Sequence, residues 1–158
     1  MPNPQQPPQQ PRRQRRLNRI FDSAPSYFLT LCTNGRKRVL DNEETMKRVQ
    51  NFVQESLHRY GVYVDCLVIM PDHVHLIVTL APESENTIGK WVKAFKAMVA
   101  RHRFKWQEGY FDHVLRSDES RSEKWEYIRM NPVRAGLVTR PENWPYAQQF
   151  NRVDGSEL

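Results

Sequence analysis

Two apolar runs separated by only two residues constrain the fold of this chain more than any other feature. The runs "VYVDCLVIM" (62–70) and "HVHLIVTL" (73–80) are rich in β-branched residues, and only Pro71 and Asp72 lie between them. Such runs are typical of strands, and a two-residue connection favours an antiparallel hairpin. The sequence therefore predicts an antiparallel sheet whose faces the remaining elements must cover.

The second run of the hairpin has two different faces. Side chains alternate along a strand, so one face of this run carries His73, His75, Ile77 and Thr79. The opposite face is continuously apolar and consists of Val74, Leu76, Val78 and Leu80. We expect the apolar face to carry the core, which leaves the histidine face for another task.

The flanking segments predict three helices and two more extended segments. A strand is expected over 26–33, followed by a turn at Asn34-Gly35, and a helix over 41–60 with a capping box of Asp41 and Glu44 and an end near Gly61. The later elements are a helix at 87–107, a strand or extended segment at 109–116, and a helix at 117–130 that closes before Asn131-Pro132. This order predicts an α+β fold, a ferredoxin-like antiparallel sheet with packed helices.

The excess positive charge lies mainly at one end of the chain. The net charge is +6, from 24 basic and 18 acidic residues, and residues 1–20 hold five arginines and no acid. We predict a disordered basic tail at 1–22, rich in proline and glutamine, a single domain at 23–150 and a flexible C-terminus at 151–158. A basic arm suits a polyanionic partner, and a purely solubilising tail accounts for it equally well.

The composition also indicates the compartment. No run approaches the roughly 20 apolar residues of a membrane helix, and no secretory leader is visible, so we expect a cytoplasmic protein with no membrane partner. Cys32 and Cys66 lie in apolar segments without a close-spaced partner, which favours reduced core cysteines.

The predicted second helix is unusually basic. No acid occurs between Glu85 and Glu108, whereas five cations that we consider for DNA binding do: Lys90, Lys93, Lys96, Arg101 and Arg103. Lys105 extends this surface, and interleaved aromatic side chains, Trp91, Phe104 and Trp106, offer stacking surfaces for bases, while Phe95 fits the core better. An ordinary solvated face is the alternative interpretation.

The histidine pair has two interpretations at this stage. Two imidazoles on one strand face can share a divalent cation, although a hydrogen-bonded histidine is the more common state for each alone. On the last helix, Tyr127 and Asn131 are four residues apart and share a face. The Asn131 amide oxygen suits a hard cation, whereas Tyr127 is compatible with an ordinary surface tyrosine.

Three segments together resemble a known family. "VIMPDHVHLIV", "GYFDHVLRSDES" and "EYIRMNPVRAGLV" resemble the single-tyrosine HUH transposases of the IS200-like superfamily, particularly the REP-associated tyrosine transposases of bacteria, over roughly residues 25–147. The resemblance implies an HUH endonuclease-type fold, a metal held by His73 and His75, and Tyr127 as the nucleophile. It further implies Asn131 as the third ligand and Mg or Mn as the cofactor.

The resemblance also implies an activity and a partner. Members cut and rejoin single-stranded, hairpin-forming DNA through a 5′-phosphotyrosine link, which fits a nucleoid-associated location and either a monomer or a homodimer. Arg116, Arg129 and Arg134 are candidates for phosphate contacts, and Asp112 and His113 for supporting roles. Many REP-associated members carry a glycine-threonine-aromatic element before the first strand, where this chain reads "SAPSYF".

Two other functions fit the same residues. A domesticated DNA-binding regulator would keep the fold and the basic surfaces without transposition. A metal-dependent hydrolase would use the histidines and a water molecule, with Tyr127 only structural.

Overall fold

The computed structural model describes residues 24–150, so the predicted tail at 1–22 and the C-terminus at 151–158 lie outside the described residues. A five-stranded sheet has the order β4-β1-β3-β2-β5. Its strands are β1 Ser26–Cys32, β2 Val62–Ile69, β3 His73–Leu80, β4 Phe111–Leu115 and β5 Ala147–Gln149. The helices are α1 Glu43–Tyr60, α2 Ile88–Ala100, α3 Asp118–Arg129 and α4 Asn131–Arg134.

The predicted hairpin is confirmed, as is the α+β class. β2 and β3 pair antiparallel, with one irregularity between Val64 and Cys66, and every other strand pair is antiparallel as well. β3 lies in the centre of the sheet, with β1 on its other side. This central position places the start of β3, where the histidines lie, beside the end of β1.

One face of the sheet carries the main core, as predicted. Val74, Leu76 and Val78 are fully buried on this face in a cluster with residues of α1 and α2. α1 ends at Gly61, whose φ of 67° gives the left-handed cap that glycine favours. The predicted capping box was wrong: α1 starts one residue later than that box requires, and Asn42 accepts the capping hydrogen bond from the Thr45 amide.

The second helix is shorter than its predicted range of 87–107. α2 ends at Ala100, because Arg101 and His102 take left-handed conformations that turn the chain. The turn lets the Trp106 indole N–H donate to the Lys96 carbonyl, while Trp106 forms an isolated β-bridge with Thr33. Trp91 is fully buried, so the prediction that it stacks on bases was wrong, whereas Phe95 is a core residue as expected.

The opposite face of the sheet is not open. Ile77 and Thr79 are buried there, and Ile77 belongs to a second, smaller cluster with Ile128 of α3 and Trp144. The expectation that this whole face is left free by the core was therefore wrong, because α3 covers its middle. Only the end of β3 that carries the histidines remains accessible.

α3 and α4 form an almost continuous pair at the edge of this second cluster. Ser117 caps α3 as the sequence predicts, and the helix stops at Arg129, one residue before the predicted end. Met130 separates the two helices, and Pro132 lies in the first turn of α4, where proline is tolerated. Within residues 24–150, no helix combines the length and the apolar content that a membrane span needs.

Candidate active site

The two histidines form the centre of the candidate site. His73 and His75 project from the same face at the start of β3, and their ring centroids lie 4.7 Å apart. The β1 residues opposite them in register are Cys32 and Thr30. The His73 side chain is 16% exposed, so the pair is accessible from solvent at one edge only.

A carboxylate fixes the orientation of the first histidine. Asp72 Oδ1 lies 2.7 Å from His73 Nδ1, and Asp72 Oδ2 accepts a hydrogen bond of 2.9 Å from Arg36 Nε. Burial raises the pKa of Asp72, but the hydrogen bonds from His73 and Arg36 together hold that pKa below its ordinary value. An ionised carboxylate only accepts, so His73 Nδ1 donates, and Nε2 is left for another partner.

The second histidine is kept neutral. Burial lowers the pKa of His75 to about 3, and the nearby positive groups of His73, Lys124, Arg134 and Arg36 add to this effect. His75 Nδ1 lies 3.0 Å from the Thr30 hydroxyl, which is able to accept a hydrogen bond from it. The neutral imidazole is the form that binds metals.

A series of contacts joins the histidines to the tyrosine of α3. The His75 ring stacks on Phe28 of β1 with a centroid separation of 5.2 Å. Lys124 Nζ lies 4.8 Å from the Phe28 centroid and 5.6 Å from the centroid of Tyr127. The Arg134 guanidinium carbon lies 4.1 Å from the Tyr127 centroid. The 60% exposed Tyr127 therefore lies in one cluster with the histidine pair and two cations.

Asn131 lies beside this cluster and is already engaged. Its side-chain oxygen accepts a hydrogen bond from Arg134 Nη2, which also donates to the Tyr127 carbonyl at 2.6 Å. Among residues 24–150, no set of three or more histidine, cysteine, aspartate or glutamate side chains is placed to hold a metal. The assignment of Asn131 as a third ligand stays a prediction.

Comparison with known proteins identifies the family. A model of the family described as "Transposase IS200 like" matches residues 23–131, which is more than half of the chain. The chain belongs to the IS200-like transposase family. This confirms the resemblance that the three sequence segments predicted.

Several named proteins are similar to this family member. The REP-associated tyrosine transposase of Escherichia coli K12 is 27% identical over 132 residues, covering 82% of this chain and 79% of the relative. The ISDra2 transposase TnpA of Deinococcus radiodurans is 32% identical over 78 residues, covering 49% of this chain and 54% of the relative. The solved structure of a REP-associated tyrosine transposase bound to a REP hairpin matches with a TM-score of 0.65 at 21% identity. That match covers 81% of this chain and 78% of the other, and it shows the same fold.

The two residues predicted to support the site lie on opposite faces of β4. His113 pairs in register with Phe28, and therefore shares the face of the histidine pair. Asp112 pairs with Leu29, which belongs to the main core on the other face. Both residues are exposed, and of the two only His113 lies on the face of the histidine pair, so its supporting role stays a prediction.

The cations proposed for DNA binding fall into two groups. Arg134 lies in the site, Arg116 is exposed just after β4, and Arg129 forms ion pairs with Glu126 and Glu142. The second group lies on the α2 side of the sheet, away from Tyr127: Lys90, Lys93, Lys96, Arg101 and Arg103. In this group, Lys96 donates to the carbonyls of Gln107 and Gly109, and Arg103 forms an ion pair with Glu44.

Sequence reasoning missed four side chains of the site. Lys124 lies three residues before Tyr127, and this helical spacing could have placed both on one face. Asp72 directly precedes His73 and was considered only as part of the turn. Thr30 lies in β1 and Arg36 in the turn after it. The fold brings both beside the histidines, and no sequence pattern indicates these contacts.

Asp72→Asn tests the role of the carboxylate beside His73. We expect Mn²⁺ binding to weaken by about 10- to 100-fold, because an outer carboxylate orients its histidine and raises its basicity. Isothermal titration of Mn²⁺ measures the effect. Asp112→Asn removes the same charge on the other face of the sheet and should leave the affinity unchanged; an equal loss in both variants would contradict the assignment.

The neutral state of His75 predicts a dependence of stability on pH. The unfolded chain protonates this histidine near its ordinary pKa of about 6.5, whereas the folded chain resists protonation down to about pH 3. The unfolded state therefore binds more protons in this window, and the free energy of unfolding should fall as the pH is lowered through it. Urea unfolding at several pH values measures the slope, which His75→Asn should reduce and His58→Asn should not.

Proposed function

We propose that this transposase cleaves and rejoins single-stranded, hairpin-forming DNA through a covalent link to Tyr127, with Mg or Mn held at His73 and His75. The observation that carries this proposal is the contact series from the histidine pair through Phe28 and Lys124 to Tyr127. It joins the proposed nucleophile to the two proposed metal-ligand side chains, of which His75 is neutral.

The surroundings of Tyr127 suit its proposed role as nucleophile. A tyrosine has an ordinary pKa of about 10 and attacks weakly at neutral pH, so the developing phenolate needs stabilisation. Lys124 and Arg134 both lie near this ring and supply positive charge next to it. The same two cations are available to the anionic phosphodiester.

The proposed reaction exchanges one phosphodiester for another. Tyr127 loses its phenolic proton, its oxygen forms a bond to phosphorus, and the bond from phosphorus to the 3′ oxygen of the preceding nucleotide breaks. That oxygen takes up a proton and leaves as a 3′-hydroxyl, while the following strand stays attached as a 5′-phosphotyrosine. Reversal on a second strand completes the transfer, and no nucleotide cofactor is consumed.

The residues present fit a divalent cation. His73 and His75 each have a hydrogen-bond partner at Nδ1, which leaves Nε2 of both rings for a metal. A bound Mg or Mn ion would withdraw electron density from the scissile phosphate and help to orient it. Asn131 is the candidate for a third protein ligand, and its oxygen would have to leave Arg134 to serve in this way.

Structural similarity to a DNA-bound transposase and the positive charge around the histidine pair support DNA as the partner. The similar solved transposase is bound to a REP hairpin, and this chain shares its fold. Arg134, Lys124 and Arg36 concentrate positive charge around the histidine pair, as the electrostatics of His75 reflect. A phosphate backbone is the ligand that this arrangement attracts.

An adduct assay tests the proposal. The full chain is incubated with labelled hairpin-forming single strands and Mn²⁺ or Mg²⁺, and covalent complexes are separated on denaturing gels. We expect a protein-DNA adduct that depends on the metal and is lost with EDTA. The adduct should map to Tyr127 by mass spectrometry of the digested complex.

The alternative functions give different results in the same assay. A metal-dependent hydrolase would cut the strand and leave no protein attached to it. A regulator without transposition would bind the hairpin with an affinity insensitive to metal and form no adduct. Either result would overturn the proposed strand transfer.

A further inference from the structure

A basic groove lies on the side of the sheet opposite Tyr127, between the end of α2 and the turn after β1. Its volume of about 990 Å³ lies at the upper end of the 300–1,000 Å³ typical of small-molecule sites. Six of its lining residues carry or can carry positive charge, and none of the described residues lining it is acidic. These six are Lys37, Lys96, Arg101, His102, Arg103 and Lys105.

The groove combines this charge with apolar surface. Val39, Phe104 and Trp106 also line it, and Val39 is 38% exposed. A positively charged groove with aromatic side chains is the arrangement that holds single-stranded nucleic acid, because phosphates meet cations while bases lie on apolar surface. A double helix would present phosphates alone to such a groove and leave its apolar surface uncovered.

The backbone at the groove's edge is strained in a way that displays two of these side chains. Arg101 and His102 have φ values of 42° and 68°, in the left-handed region that residues with a Cβ rarely adopt. Glycine would adopt this turn without strain, but it would provide no side chain. Two consecutive basic residues there point to a ligand that uses their charge.

The groove is directly connected to the candidate active site. The Asn34 amide donates to the Lys105 carbonyl, and the Gln107 amide donates to the Cys32 carbonyl, so the groove wall is attached to the end of β1. Two residues beyond Asn34, Arg36 reaches Asp72 and approaches His73 Nδ1 at 3.5 Å. One turn, at residues 34–37, therefore supplies Asn34 and Lys37 to the groove and Arg36 to the histidine pair.

We infer that this groove binds the single-stranded segment that flanks the cleaved phosphate on one side. The inference rests on the proposed function, because it assigns a path to the strand that leaves the histidine pair. The ligand class is an unpaired DNA strand, held mainly through its phosphates by Lys37, Arg101 and Lys105. Arg103 and Lys96 contribute less, because Glu44 and two backbone carbonyls already engage them.

The test compares binding of extended and unextended hairpins. All proteins carry Tyr127→Phe, and binding is measured without metal by fluorescence anisotropy, so that cleavage does not enter. The probes are one hairpin alone and the same hairpin with about ten thymidines at the 5′ or the 3′ end, a length within known single-strand site sizes. The test variant is Lys37→Gln/Arg101→Gln/Lys105→Gln, and the control variant is Lys47→Gln/Arg59→Gln/Arg140→Gln, which loses the same charge elsewhere.

We expect the test variant to lose affinity for one of the two extended probes while its affinity for the unextended hairpin matches that of the control variant. The slope of log affinity against log salt should fall by about 2 for that probe, since each single-strand phosphate contact contributes about 0.7. Single Gln variants at these three positions should each lower it by about 0.7, which provides a second measurement if the triple variant unfolds.

Two outcomes would overturn the inference. One is equal salt slopes for the test and control variants with both extended probes, and the other is an equal loss of affinity for the unextended hairpin. Failure of the proposed function is distinguishable, because it is seen as absence of an adduct between the wild-type chain and the unextended hairpin.

Discussion

Tyr127→Phe is expected to abolish covalent attachment to a hairpin-forming strand, with a fall of at least about a thousandfold in the rate of adduct formation. The substitution removes only the oxygen that would bond to phosphorus. The aromatic ring remains, so its contacts with Lys124 and Arg134 should persist. Denaturing gels with labelled DNA and Mn²⁺ measure the loss.

Two controls separate this loss from an effect on folding. The side chain of Tyr127 is 60% exposed, so the thermal unfolding midpoint of Tyr127→Phe should equal that of the wild type. Tyr60→Phe removes the same oxygen at the end of α1, on the other side of the sheet, and should leave the adduct yield unchanged. A Tyr127→Phe protein that still forms the adduct would refute this tyrosine as the nucleophile.

Replacing either histidine of the pair is expected to remove metal binding. His73→Gln and His75→Gln should each weaken Mn²⁺ binding by more than about a hundredfold, because loss of a direct ligand exceeds the 10- to 100-fold effect of an outer-shell change. The adduct yield should fall in parallel. Isothermal titration with Mn²⁺ and the adduct assay at several Mn²⁺ concentrations measure both effects.

A matched histidine variant controls for effects unrelated to metal binding. His58→Gln, exposed on α1, should leave both Mn²⁺ affinity and adduct yield at the wild-type level. Hairpin binding in EDTA should be retained in all three variants, because it depends on cations elsewhere. Full adduct formation by His73→Gln at limiting Mn²⁺ would show that the pair is not the metal site.

The sheet could be predicted from the sequence because its signals are local. β2 and β3 end where β-branched runs end, and Pro71-Asp72 fixes their antiparallel connection. The alternation in β3 also predicted which side chains carry the main core, and Val74, Leu76 and Val78 are fully buried. Local pattern and tertiary packing agree in this hairpin, which is why its bounds were predicted well.

The end of α2 could not be predicted, because its cause lies elsewhere in the fold. The residues from Arg101 to Gln107 are compatible with a helix, so propensity gives no reason to stop at Ala100. The helix stops because Trp106 pairs with Thr33 and donates to Lys96. Trp91 was misassigned for a similar reason, since its burial depends on a hydrogen bond to Ser56 of α1.

The candidate site was predictable in part. The alternation in β3 pointed to His73 and His75, the family resemblance pointed to Tyr127, and a series of contacts joins all three in the structure. Lys124 and Arg36, which supply the charge around that cluster, were not found. A surface lysine on a helix or an arginine after a turn has no signature of its own, because its role depends on what the fold brings opposite it.

The helix that carries the proposed nucleophile, α3, has fewer buried residues than α1 or α2. α1 and α2 each bury six residues, whereas Ile128 is the one residue of α3 that is buried. Because α3 contributes the fewest buried side chains of its own, we expect its local opening free energy to be the smallest of the three long helices. The histidines are fixed in the centre of the sheet, but Tyr127 is on the most weakly anchored long helix. Its distance from the histidine pair is therefore the most easily changed dimension of the site.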